Sequence, residues 1–289
     1  MPLLLVSVVA AGCDKLGLDD KSPTAPGGPP SAGSTILYDV IGASDANGVG
    51  SSVPCLPFTD CPDGMGYAPV AARDLKARGF DVSVVNLGIP TAVISAGFQT
   101  LGQQYGRFIA GNFIAQEMPF VRATATLVTI FAGGNEVNTI TAALGAGAGG
   151  GNPAGYIDGQ VAAFAADFAT LVNGVRSRAG AARLVALNVP NLAGLPVFSG
   201  SSLAQRQAAQ RASAGMAAAV NAFRGQNITI VDVMCDSRSY LASNYSSDGF
   251  HPNDAGHAYI ASEIVRAVTA SAYPAPQASC TFMSVVPPM

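Results

Sequence analysis

A repeated switch of hydrophobic period limits what this chain can fold into more than any other feature. Five short strand-like runs, "TILYDVIG", "DVSVVNLG", "TLVTIFAGG", "RLVALNVP" and "ITIVDVM", alternate with longer stretches whose apolar residues recur at helical spacing. In "GYAPVAARDLKARG", Tyr67, Val70, Ala71 and Leu75 fall on one helical face, with Pro69 near the start and Gly79 at the end. Further helices are expected in "TAVISAGFQTLGQQYG", "YIDGQVAAFAADFATLVNGVRS" and "LAQRQAAQRASAGMAAAVNAFRG". A last one begins near Asn253, where Ile260, Ile264 and Val268 align. Apolar strands that each lead into a helix predict a five-stranded parallel sheet covered on both faces, a three-layer α/β/α sandwich with right-handed crossovers.

Such a sheet restricts where chemistry can sit, because the carboxyl ends of parallel strands share one edge and ligands bind beyond it. Ser44 in "GASDANG" follows the first run, "NLGIPT" ends the second, Asn135 in "GGNE" ends the third, and the loop before the last helix carries Asp248 and His251. Groups distant in sequence are thereby expected to meet. Their types suit acyl transfer: a serine hydroxyl needs a base, and the base needs a carboxylate to fix its tautomer and stabilise its cation. The chain has only two histidines, and Asp248 stands three residues before His251. Backbone N–H groups at Ser44 and in the "NLGIPT" turn, with the Asn135 amide, can face the oxyanion of a tetrahedral intermediate.

Plainer readings compete. Ser44 lies among Asp, Asn and Gly, all turn formers. Asn253 or Asp254 can cap the last helix, and His257 reads as a structural residue on it. A metal set of Asp248, His251, Asp254 and His257 would need a continuous helix, and Pro252 disfavours helical backbone at His251. "GAGAGGGNPAG" contains Gly145, Gly147 and Gly150 in a G-x-G-x-x-G pattern, but it follows a helix-like piece and no strand, so it reads as a flexible loop.

On these motifs the chain resembles the SGNH (GDSL-type) hydrolase superfamily of esterases and lipases, over about residues 35–269. "GAS" matches the first block and gives Ser44 as nucleophile; "GGNE" matches the third and gives Asn135 as an oxyanion donor; "DGFH" matches the fifth and gives Asp248 and His251. The resemblance implies a flavodoxin-like sheet order and hydrolysis of carboxylic esters (short-chain acyl, acetylated glycan or lipid) without a cofactor or metal. Two rivals stand beside it: a catalytically silent cell-surface binding module on the same fold, and a metal-dependent hydrolase. The sequence departs from the family pattern at Ala43 and Glu136, where aspartates are usual. In the second block Thr91 occupies the expected glycine position while Gly88 is the nearest glycine, so either N–H is a candidate oxyanion donor.

Charge and termini bound partners and location. Charged residues are 11% of the chain against about 25% in typical soluble domains. With net charge -3 and 15 Lys+Arg there is no basic face for nucleic acid. "MPLLLVSVVAAGC" has an apolar core too short to span a bilayer and ends in a pattern like a bacterial lipobox, which gives residues 1–13 as a signal segment and Cys13 as a lipidated membrane anchor. Residues 14–34, rich in Pro, Gly and Ser, form a disordered linker, and residues 35–289 form the hydrolase domain with its C-terminal tail. Export permits disulfides among Cys55, Cys61, Cys235 and Cys280. Of three possible pairings, joining Cys55 to Cys61 closes a short local loop and leaves Cys235 for Cys280. No oligomeric state is readable from the sequence.

Overall fold

The computed structural model describes residues 28–289. Cys13, the signal segment and residues 14–27 of the linker lie outside them, and residues 28–34 run through turns into the first strand. The five strands are β1 (Thr35–Ile41), β2 (Asp81–Asn86), β3 (Leu127–Phe131), β4 (Arg183–Leu187) and β5 (Ile228–Val231). All pair in parallel, in the order β2-β1-β3-β4-β5. The helices are α1 (Tyr67–Ala77), α2 (Ala96–Gln104), α3 (Phe113–Gln116), α4 (Gly134–Gly145), α5 (Pro153–Arg178), α6 (Leu203–Asn221) and α7 (Asp254–Thr269).

The inner strands β3 and β4 are largely apolar because both faces of the sheet are covered there. Val128 and Ile130 of β3, with Leu184 and Ala186 of β4, enter the core built with α4, α5 and α6. Leu127, Val185 and Leu187 point the other way, into the core built with α1 and α7. This is the period-2 geometry of a strand applied to a sheet with no wet face. Within β1 the one charged residue, Asp39, is fully buried. Arg122 satisfies it with its backbone N–H and its Nε, each at 2.6 Å.

From β1 the chain goes outward to β2 and returns past β1 to β3. The strand order therefore reverses beside β1, and a crevice opens between the carboxyl ends of β1 and β3. Ser44 follows β1 and Asn135 follows β3, so the topology alone delivers both to that crevice.

Three elements differ from the sequence pattern. The helix expected from Thr91 begins only at Ala96, capped by Ser95, because Val93 instead donates to Gly111 O (3.2 Å) and accepts from Phe113 N (2.9 Å). Tertiary pairing there overrides a local helical period. The short α3, capped by Asn112, lies in a stretch with no readable period. α5 starts at Pro153 behind an Asn152 cap, earlier than expected, so Gly155 is helical.

The disulfides are Cys55–Cys61 and Cys235–Cys280. Beyond Cys280 the tail is held over the loops that follow β4 and β5. Asn191 Nδ2 donates to Phe282 O (2.8 Å), Gln210 and Val286 exchange two hydrogen bonds (2.8 and 2.9 Å), and the Tyr240 and Phe282 rings stack at 4.2 Å. Among the described residues no helix is long and apolar enough to cross a membrane.

Candidate active site

Two residues beyond β1 the chain enters a run of tight turns, closed by Ala46 N to Ala43 O, Gly48 N to Asp45 O and Val49 N to Ser44 O. Ser44 opens this run with its hydroxyl turned to the sheet edge and only 5% of the residue exposed. Its Oγ lies 2.8 Å from Nε2 of His251. On the far side of the imidazole, Nδ1 lies 2.5 Å from Asp248 Oδ2. The remaining oxygen, Asp248 Oδ1, accepts from Phe250 N (2.8 Å), His251 N (2.9 Å) and Ser246 Oγ (2.9 Å).

These bonds settle the tautomer. Partial burial raises the Asp248 pKa, but the hydrogen bonds from the His251 ring, the backbone N–H groups of His251 and Phe250, and Ser246 outweigh it and hold the carboxyl well below the usual range. An ionised carboxylate only accepts, so Nδ1 of His251 carries the proton and Nε2 offers its lone pair to Ser44. The arrangement can take a proton from the hydroxyl and stabilise the imidazolium that results.

The other sequence candidates surround this contact. Neither the Ser44 N–H nor the Thr91 N–H has a hydrogen-bond partner among the described residues. Asn135 Nδ2 donates one hydrogen to Ala92 O (2.9 Å), which leaves its second one available. Gly88, in contrast, donates its N–H to Asn86 Oδ1 (3.1 Å) and packs where any Cβ would come within 2.6 Å of the Ala46 Cβ. Thr91 has φ +67°, the left-handed conformation in which glycine is ordinarily found.

His257 is buried, its Nε2 donates to Val49 O (3.3 Å), and burial lowers its pKa. Asn253 caps α7 through Ala255 N and Gly256 N, while Asp254 binds Ser52 through its N–H and Oγ, both at 2.7 Å. Among the described residues, no group of three or more His, Cys, Asp or Glu is placed to hold a metal ion. A cavity of about 60 Å³ is lined by neighbours of both residues, Ala43, Asp45, Phe250 and Pro252, and by Asn135 and Val189, while Ser44 and His251 themselves do not line it.

Sequence reasoning missed two groups that shape the site. Glu117 is fully buried and accepts from Gly42 N (3.0 Å) and Ile89 N (3.2 Å), tying the end of β1 to the turn after β2. Burial pushes its carboxyl well up despite those two donors. A single acidic residue inside the apolar stretch "NFIAQEMPF" was the available signal in so charge-poor a chain. Arg107 contacts Asn135 from the loop after α2 and had no signal of its own. Glu136, noted only as a departure from a motif, accepts from Ile94 N (2.5 Å) and Gly133 N (2.9 Å) and so holds the other end of the Thr91 turn.

Comparison with known proteins adds an independent finding. Residues 40–259 match the model of the GDSL-like Lipase/Acylhydrolase family. The fold is similar to that of a lipase from a goat rumen metagenome (14% identity, 82% of this chain and 100% of that one, TM-score 0.57). It is also similar to an acetyl xylan esterase variant from Geobacillus stearothermophilus (16% identity, 82% and 96%, TM-score 0.53) and an extracellular lipase from Streptomyces rimosus (19% identity, 80% and 99%, TM-score 0.51). No curated protein matches the sequence.

Proposed function

The chain belongs to the GDSL-like lipase/acylhydrolase family and is a carboxylic ester hydrolase, and from that premise we propose that Ser44, His251 and Asp248 form its catalytic triad. The observation that carries this reading is the unbroken relay from Ser44 Oγ through His251 to Asp248, which joins side chains 207 residues apart. Ser44 Oγ attacks the acyl carbonyl as His251 Nε2 removes its proton. Collapse of the tetrahedral intermediate expels the alcohol, which takes that proton back from His251. A water activated by the same nitrogen then releases the acid and restores Ser44. The N–H groups of Ser44 and Thr91 and the second Asn135 Nδ2 hydrogen receive the oxyanion. Gly88, its N–H already engaged, packs behind the nucleophile turn.

The test is Ser44→Ala against a panel of chromogenic esters graded by acyl length, with an acetylated glycan and a phospholipid alongside. Turnover is expected to vanish while the circular dichroism spectrum is retained, and a fluorophosphonate should label wild type at Ser44 only. Undiminished turnover in the variant excludes Ser44. Folded wild type that neither labels nor turns over any ester points to the binding module, and activity that survives exhaustive chelation excludes the metal-dependent hydrolase.

We further infer export, which rests on the two disulfides and the apolar leader. Anchoring through Cys13, with residues 14–34 as a tether and 35–289 as the working domain, is the reading of that leader's "AAGC".

A further inference from the structure

The loop that leaves α2 belongs to none of the sequence motifs, yet it touches two of the three groups assigned to the oxyanion. α2 ends with Gly106 at φ +78°, where Gly106 N donates to Gln103 O (3.1 Å) and Arg107 N to Gly102 O (2.9 Å). That pair of bonds is the reverse turn that commonly closes helices, and it fixes the direction of the next residues. Ile109 then returns to the core at 3% exposure, while Phe108 beside it is 79% exposed. Anchored in this way, Arg107 reaches the start of α4. Its Nη1 donates to Asn135 O (2.9 Å) and Thr139 Oγ1 (3.2 Å), and its Nη2 donates to Asn135 Oδ1 (3.3 Å). Three residues later, Ala110 N donates to Thr91 Oγ1 (3.0 Å).

The consequence for Asn135 is directional. A guanidinium only donates, so the amide face it meets must be Oδ1. Ala92 O only accepts, so the opposite face must be Nδ2. Together they hold the amide with N–H, and not the carbonyl oxygen, toward a developing negative charge. A flipped amide would set a lone pair against that charge. Arg107 also brings its own positive charge to the carbonyl side of Asn135, where it polarises the amide further.

We propose that Arg107 is a positioning residue for oxyanion stabilisation, acting through the Asn135 amide, and that the Arg107–Ala110 loop is the buttress holding Asn135 and Thr91 in working geometry. This rests on the triad and oxyanion assignment above. Such a role affects the transition state more than substrate binding, so it should reduce kcat and leave KM nearly unchanged.

The test is a double-mutant cycle with Arg107→Ala, Asn135→Ala and the combined variant, read as kcat and KM on a chromogenic short-chain ester. Ser44→Ala serves as the inactive reference and thermal melts check folding. Arg107→Ala should lower kcat about tenfold and Asn135→Ala about 10²–10³-fold. The double variant should be no slower than Asn135→Ala alone, because Arg107 then has nothing left to orient. Guanidinium added at millimolar concentration should partly restore Arg107→Ala and leave Asn135→Ala unchanged. Arg107→Lys, which keeps the charge without the fork, should remain at least threefold slow, and it supplies the same comparison if the alanine variant does not fold. Wild-type kcat in the Arg107 variants, or losses that multiply in the double variant, overturn the proposal while Ser44→Ala still certifies the parent reading. Full turnover in both Ser44→Ala and Asn135→Ala overturns the two together.

Discussion

Thr91 offers the sharpest quantitative test, because two opposing effects of known size meet in one residue. A β-branched side chain at φ +67° crowds its own backbone, at about 2 kcal/mol relative to glycine in the same conformation. In return its Oγ1 accepts from Ala110 N at 3.0 Å, a bond worth about 1 kcal/mol. Thr91→Gly removes both terms and adds about 1 kcal/mol of unfolded-state entropy. The sum is close to zero. Thr91→Val keeps the strain and the shape but loses the acceptor, so it should destabilise the fold by about 1 kcal/mol or slightly more. Urea unfolding followed by circular dichroism resolves the two variants. Activity gives the second axis: glycine retains the backbone N–H assigned to the oxyanion but loses the Ala110 bond that holds it in place, so kcat on a short-chain ester should fall by about tenfold, less than in Asn135→Ala. The reasoning is refuted if Thr91→Gly costs more than about 2 kcal/mol, or if Thr91→Val proves as stable as wild type.

Two further outcomes follow from charges and crosslinks. Burial pushes the Glu136 carboxyl from 4.5 up to about 7, against the pull of neighbouring backbone N–H groups and of Arg107. The folded chain therefore binds this proton more tightly than the unfolded one, and the associated stability is complete below about pH 4.5, declines as pH rises toward 7, and is level above. Glu136→Gln should flatten that part of the urea-midpoint profile between pH 4.5 and 8, and an unchanged slope rejects the assignment. Serine replacement of the Cys55–Cys61 pair, six residues apart, should cost about 2 kcal/mol, against about 4 kcal/mol for Cys235–Cys280, 45 apart. Equal losses in thermal or denaturant melts would contradict the loop-length argument.

What could be read before any coordinates was whatever a local pattern encodes. The strand runs were legible because a sheet covered on both faces needs continuous apolar residues, and the contact between Asp248 and His251 was legible because it is local: three residues bring the carboxylate back to the ring. Thr91 shows a subtler case. Spacing placed it where a glycine is usual, and the backbone there does adopt a glycine-like conformation, held by a partner 19 positions away. The illegible parts depend on contacts with no local signature. Glu117 serves Gly42 across 75 positions and Arg107 serves Asn135 across 28, and each lies in a segment whose apolar residues follow no period. The late start of α2 has the same origin, since the backbone groups of Val93 are engaged by Gly111 and Phe113 in place of helical partners.

The second crosslink also bears on how the two halves of the candidate site are tied down. Asp248 and His251 both fall within the ring of chain closed between Cys235 and Cys280, whereas Ser44 hangs from β1, an inner strand paired on both sides. Opening of the segment beyond Cys280 is therefore separated by this crosslink from the loop that carries Asp248 and His251. The hydroxyl and the imidazole it meets are thus moored by different bonds, the first through backbone pairing of β1 and the second on a stretch of chain closed by sulfur.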